Sequence, residues 1–198
     1  MKTRQHITVT TIIAFSLAVA ATTITAASRS AAREKAAEAA VKAAASERIK
    51  RGEYLVTIGG CNDCHTPWKM GPKGPEPDMS RMLSGHPETF PMPAVEQSNG
   101  AWLWKGAATN TAFAGPWGVS FTKNLTPDRL TGIGIWDEQM FIRTIRTGRH
   151  WGTSRPILPP MPWFNYAKMT DDDLKAVYAY LRTIPPVKNQ VPDAILAQ

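Results

Sequence analysis

Residues 61–65 read Cys61-Asn62-Asp63-Cys64-His65, and they hold both cysteines of a chain of 198 residues. Several chemistries compete for a C-x-x-C-H. A structural zinc site takes four nitrogen or sulfur ligands, usually as two pairs; outside the motif the histidines are His6, His86 and His150, which supply no second pair. A thioredoxin-like motif sits beside a βαβ pattern and has no use for a histidine directly after the second cysteine. Here the flanking RGEYLVTIGG (51–60) is a short amphipathic segment, and the run beyond the motif is rich in Pro and Gly. A plain disulfide suits an oxidising compartment but leaves His65 unexplained. Covalent haem attachment accounts for all three side chains, because thiols separated by two residues reach the two vinyl groups while the next side chain sits under the iron. The motif therefore predicts one covalently bound c-type haem, with Cys61 and Cys64 as its attachment points and His65 as an axial ligand of the metal.

Attachment of this kind takes place outside the cytoplasm, and the N-terminus reads as an export signal. MKTRQH is followed by a run free of Asp, Glu, Lys and Arg up to Ser28, with an apolar core IIAFSLAVAA (12–21) and small residues Thr25-Ala26-Ala27 before Ser28. Residues 1–27 are expected to be a signal peptide. The alternative is an uncleaved anchor, since residues 7–27 are about long enough to span a bilayer, although six threonines weaken that stretch. The expected location is the periplasm, with a membrane involved only if the leader stays. Residues 28–50 are rich in Ala, Glu, Lys and Arg, which form a helix readily and bury little; they are expected to be a helical spacer.

Splitting the charge by segment removes one class of function. The chain carries 23 basic and 16 acidic residues, of which the leader holds two bases and residues 28–50 hold six bases and three acids. That leaves 15 against 13, or +2, for residues 51–198. Nucleic-acid binding finds no support in so balanced a core. A local group, Arg143, Arg146, Arg149 and Arg155, is either a docking face for an acidic partner or a solvated helix face with a propionate contact.

Residues 51–198 fit one domain. Three helices are readable: about 47–58, running into the motif; about 136–147, with Asp137 and Glu138 in its first turn and Gly148 as a stop; and one capped by Thr170. In the last, Asp171, Asp172 and Asp173 complement the helix dipole, and Leu174, Val177, Tyr178 and Leu181 recur at helical spacing, with Pro185 and Pro186 beyond. No run shows sustained alternation, so strands are not expected. The long section 66–135, dense in Pro, Gly and Trp, is expected to pack as loops on the macrocycle.

Four segments together resemble a known family: GEYLVTIGGCNDCHTP (52–67), NLTPDRLTGIGIW (124–136) leading into FIRTIRTGRH (141–150), LPPMPWFNY (158–166) and MTDDDLKAVYAYLRTIPPV (169–187). In this order they are similar to class I c-type cytochromes, and among these to the cytochrome domains and subunits that accompany periplasmic dehydrogenases of alcohols, aldehydes or sugars. The resemblance implies an all-α class I cytochrome c fold with long Pro/Gly/Trp-rich loops around one haem, its first and last helices crossing beside the cofactor. It also implies Met161 as the distal metal ligand and Trp136 as a donor to a haem propionate. Pro159, Pro160 and Pro162 around Met161 restrict the backbone and suit an extended strap that presents the sulfur. Met70, Met79, Met82, Met92, Met140, Met169, His86 and His150 remain the other candidates. Relatives of this kind often carry several C-x-x-C-H motifs and a C-terminal membrane helix, whereas this chain has one motif and a polar tail.

The expected function is one-electron transport by a non-enzymatic protein, from a periplasmic dehydrogenase as donor to another cytochrome or a terminal oxidase as acceptor. An iron with both axial positions filled has no place for substrate, and a thioether ligand raises its potential relative to two histidines. The alternatives are a haem enzyme or gas sensor with an open distal site, and an obligate cytochrome subunit of a dehydrogenase complex.

Overall fold

The computed structural model describes the backbone of residues 4–93 and 101–197, with side chains described from residue 28 onward. The expected leader, 1–27, falls outside the residues whose side chains are described. The chain divides into two compact units, Met1–Ser46 and Glu47–Gln198. Helix α1 runs over Arg4–Ile58, much longer than the helix expected from about 47. Within the first unit its residues 28–46 are exposed on every side, as an Ala/Glu/Lys/Arg helix without an apolar stripe must be. Among the described residues, no helix is long and apolar enough to cross a membrane.

In the second unit, α1 closes onto a core. Val56 is fully buried, and the Gly52 backbone passes so near the last helix that an added Cβ would fall 1.9 Å from the Ala176 carbonyl oxygen. Only glycine permits that approach. Gly60, at φ 65°, turns the chain out of α1 and into a single helical turn, α2 (Cys61–His65). Helix α3 spans Glu138–Thr147, where Asp137 accepts from the Met140 N–H and Gly148 closes the end in the left-handed region. A short α4 (Trp163–Tyr166) precedes α5 (Asp171–Leu181), whose Thr170 cap accepts from the Asp173 N–H as expected. The core gathers Val56, Leu83, Ile133, Phe141, Ile142, Leu174, Val177, Leu181 and Ile184 from α1, α3, α5 and three loops.

The all-α expectation is overturned. Among the described residues, two antiparallel sheets stand beside the helices. Strands β1 (Trp68–Gly71) and β2 (Gly74–Pro77) form one hairpin. Strands β3 (Lys105–Gly106), β4 (Ala112–Gly115), β5 (Gly118–Phe121) and β6 (Ile195–Leu196) form a second sheet in that order. Each strand has two to four residues, too few for a period of two to show. Both hairpins turn on the same tetrapeptide pattern, Gly71-Pro72-Lys73-Gly74 and Gly115-Pro116-Trp117-Gly118, with positive φ at the second glycine, 119° and 97°. Strands β1 to β5 also lie between Pro67 and Asn124, the stretch that the family-like segments skip.

The described parts of section 66–135 are held by the chain's own bonds. Buried Asn189 donates to the carbonyls of Ser84 (2.7 Å) and His86 (2.9 Å) and accepts from the Glu88 N–H (2.9 Å). Buried Asn124 donates to the Val187 carbonyl (2.8 Å) and accepts from Thr126 N–H and hydroxyl. Asp128 closes a tight turn by accepting from the N–H and the hydroxyl of Thr131, both at 2.7 Å. A small apolar cluster, Ala112, Val119, Phe121 and Val191, fills the second sheet.

Candidate functional site

On one turn of helix, positions i and i+3 share a face, so α2 presents Cys61 and Cys64 to the same side, with His65 next. The His65 ring is buried, and its Nδ1 lies 2.7 Å from the Lys123 carbonyl oxygen. A carbonyl only accepts, so Nδ1 carries the hydrogen and Nε2 keeps its lone pair. This is the tautomer a metal-ligating histidine needs, with its outer nitrogen anchored to the backbone. Burial lowers the His65 pKa, opposed by the bond to Lys123, and favours neutral imidazole. The neighbourhood is tight: the Gly85 N–H donates to the His65 carbonyl (2.8 Å), and a Cβ on Gly85 would fall 2.5 Å from the Thr122 carbonyl. Thr66 accepts from the Leu83 N–H (2.9 Å) and fixes the exit from α2.

Cys61 and Cys64 are unbridged thiols. Burial, aided by Asp63, pushes Cys61 up to about 11 and Cys64 up as well, so both stay protonated at neutral pH. A redox C-x-x-C or a thiolate zinc site depends on the opposite shift. Among the described residues, no three or more His, Cys, Asp or Glu side chains gather as a metal cluster.

Met161 is half-buried on a separate strap. Ser120 of β5 donates to the Pro159 carbonyl at 2.6 Å, and the Trp163 indole lies over Gly148 at the end of α3, where an added Cβ would meet ring atoms at 2.4 Å. The strap is tied to β5 and α3, and α2 is tied to Lys123 and Leu83. Both ring nitrogens of buried His86 are engaged, Nδ1 with the Thr111 hydroxyl and Nε2 with the Phe90 carbonyl, each at 2.9 Å. Met70 and Met79 are exposed, at 78% and 56%. Met82 and Met169 pack on the main core and Met92 on the sheet cluster. Met140 is half-buried on α3.

Trp136 lies edge-on to His150, ring centroids 5.7 Å apart, and its carbonyl accepts from the Tyr178 hydroxyl at 2.6 Å. Burial, then Arg155 and Lys123, lower His150 to about 4. Burial, then Arg155, bring Lys123 down to about 8. The arginine group does not form one free face: Arg146 pairs with Asp171 and donates to the Ala167 carbonyl, and Arg149 donates to the Ser154 carbonyl. Sequence reading missed the Lys123 carbonyl, Ser120 and Thr66. The Gly-Pro-Trp-Gly turn at 115–118 is a local signal close to Ser120, whereas a backbone carbonyl carries no residue signature at all.

No protein-family model matches the chain. Individual relatives do. The chain is 30% identical over 147 residues to the gluconate 2-dehydrogenase cytochrome c subunit of Pantoea cypripedii, covering 74% of this chain and 25% of that protein. It is 29% identical over 149 residues to the cytochrome c subunit of the quinone-type alcohol dehydrogenase of Gluconobacter oxydans, covering 73% and 24%. It is 27% identical over 150 residues to the fructose dehydrogenase cytochrome subunit of Gluconobacter japonicus, again covering 73% and 24%. The chain thus spans a quarter or less of the length of these relatives. It is similar to the c-type cytochromes that serve as dehydrogenase subunits, a kinship that implies haem c as cofactor.

Proposed function

We propose that this chain is an electron-transfer cytochrome with one haem c, attached through Cys61 and Cys64 and ligated by His65 and Met161. The observation that carries the reading is His65: a buried imidazole directly after two unbridged thiols, its Nδ1 hydrogen held by the Lys123 carbonyl and its Nε2 free. The side chains around it suit the group. Buried Trp68 Nε1, Ser84 Oγ and Thr122 Oγ1 lack hydrogen-bond partners, and all three lie on segments that adjoin His65 or bond to it. Lys123 and Arg155, which both push the His150 pKa down, raise the local positive charge, which favours the carboxylates of a haem.

Haem c supplies a one-electron Fe(II)/Fe(III) couple when bound. The chain's part is to hold it and set its surroundings. Cys61 and Cys64 give fixed points on one helix face, and Lys123 fixes the His65 tautomer. The proline strap presents the Met161 thioether with little backbone freedom to lose. Engagement of His86 and packing or exposure of the other sulfurs favour Met161 over its competitors. We place the protein in the periplasm, exported by residues 1–27 and extended by the 28–50 helix. There a dehydrogenase would donate electrons and a cytochrome or terminal oxidase would accept them. Because the relatives are subunits, a lasting complex with the donor is the second reading, which copurification distinguishes from free diffusion.

The test is expression with its haem and measurement of parent and Met161→Ala. Both should carry the mass of one haem. The parent should show the weak near-infrared sulfur-to-iron band when oxidised and bind little carbon monoxide when reduced; the variant should lose the band, bind carbon monoxide and show a lower potential. Ready carbon monoxide binding by the parent would establish an open distal site instead. A surviving band in the variant would move the ligand elsewhere.

A further inference from the structure

The strap that carries Met161 is short of backbone donors, because Pro159, Pro160 and Pro162 have no N–H. Among the described residues, the hydrogen bond that reaches Pro159–Pro162 from outside its own neighbourhood comes from Ser120, 39 positions earlier in sequence. Ser120 is a buried residue, 8% exposed, within β5. Its geometry assigns the proton. The Pro159 carbonyl lies at 2.6 Å and the Phe113 carbonyl at 3.3 Å, and a single O–H favours the shorter partner. A lone pair of the same oxygen accepts from Trp117 Nε1 at 3.3 Å. The Trp117 ring is itself confined: an added Cβ on Gly115 would fall 2.6 Å from it. Indole, hydroxyl and carbonyl thus form a relay from the β4–β5 hairpin to a point two residues before Met161. On the far side, the Trp163 indole against Gly148 holds the strap two residues after it.

Building on the Met161 ligation proposed above, we propose that Ser120 is a positioning residue for the sixth ligand: through the Pro159 carbonyl it keeps the strap closed, so that the thioether stays on the iron. The hairpin that overturned the all-α expectation then has a task, to brace the distal ligand from the sheet side. A strap released at this point lets the sulfur leave more often while Cys61, Cys64 and His65 remain as they are. The oxygen of Ser120 touches no reacting atom and acts only through the strap.

Two isosteric comparisons test this, each differing by one hydroxyl: Ser120 against Ser120→Ala, and Ser120→Thr against Ser120→Val. All four haem-loaded proteins are measured for the near-infrared band as pH is raised and for the rate of carbon monoxide binding to the reduced form. Losing one buried hydrogen bond should raise the sulfur-detached population roughly fivefold. The Ala and Val variants should therefore lose the band at lower pH and bind carbon monoxide roughly fivefold faster than their hydroxyl-bearing counterparts. Thr should behave like Ser. Loosened packing alone would move global stability without separating Thr from Val in these two readouts. If Ser120→Ala does not accumulate, the Thr/Val pair makes the same comparison. Equal band loss and equal carbon monoxide rates within the pairs overturn the inference. That outcome differs from failure of the ligand proposal, in which the parent itself lacks the band or Met161→Ala retains it.

Discussion

Around α5 the chain is held by neighbours along a helix and by one close helix crossing, whereas between Thr66 and Ile135 it is held by asparagines that bond to residues 63 to 105 positions away. The helical region draws on apolar side chains in one cluster. The strand and loop region has a smaller apolar cluster of its own, built on Ala112, Val119, Phe121 and Val191, and lends Leu83 and Ile133 to the main core. The difference teaches how a chain can order a long Pro- and Gly-rich section: it spends a few buried amide side chains, each saturated by several backbone groups. Such a residue is costly to lose, because every backbone group it served stays buried and unpaired.

The largest effect should follow from Asn189→Ala. Asn189 is 1% exposed and serves the Ser84 and His86 carbonyls and the Glu88 N–H, besides a longer bond from Arg81. Stranding the two buried carbonyls and leaving the Glu88 N–H without its partner should destabilise the protein by about 3 kcal/mol. Urea denaturation of the loaded protein measures it. A loss below about 1 kcal/mol would mean that the bound group, and not the amide network, holds section 66–135.

The helical counterpart is Gly52→Ala. The new methyl would stand 1.9 Å from the Ala176 carbonyl and 2.8 Å from Tyr180 Cβ, so α1 and α5 must part. Overpacking of this kind costs about 1–3 kcal/mol, read as a lower melting temperature. An unchanged melting temperature would show that the crossing is slack and that the core, unlike the loops, tolerates movement.

These two positions also mark what the sequence could reveal. Helices α3 and α5 were legible because their signals are local: Asp137 and Gly148 bracket one, Thr170 and three aspartates open the other, and apolar residues repeat at helical spacing. The Cys61, Cys64 and His65 grouping was legible because it occupies a single turn. Gly52 reads as a weak spot inside a helix, and only the approach of Ala176 explains it. Asn189 sits near the C-terminus in a polar stretch, with nothing beside it to name Ser84 or His86 as partners. The strands were hidden by their brevity, although Gly-Pro-x-Gly occurring twice is a turn signal with a mechanism. Met161 follows the same division. Its strap is visible as prolines, and its brace, Ser120, is visible only in three dimensions.

The smallest effect should come from the most legible residue. Thr170 accepts from the Asp173 N–H at 3.1 Å and is itself exposed, so its side chain satisfies one orphan donor of α5 in partial competition with water. Replacing such a cap by Ala costs about 1 kcal/mol, and Thr170→Ser, which keeps the oxygen, should cost almost nothing. Asp171, Asp172 and Asp173 remain in the variant and continue to complement the dipole, which limits the loss further. In the same urea experiment Thr170→Ala should therefore fall well short of Asn189→Ala, by a factor of about three. Equal losses would mean that α5, whose Leu174, Val177 and Leu181 anchor the core, unravels from its first turn when the cap goes. Local and distant bonds would then contribute alike, and the contrast between the two regions would lie in how their residues are read and not in how they are held.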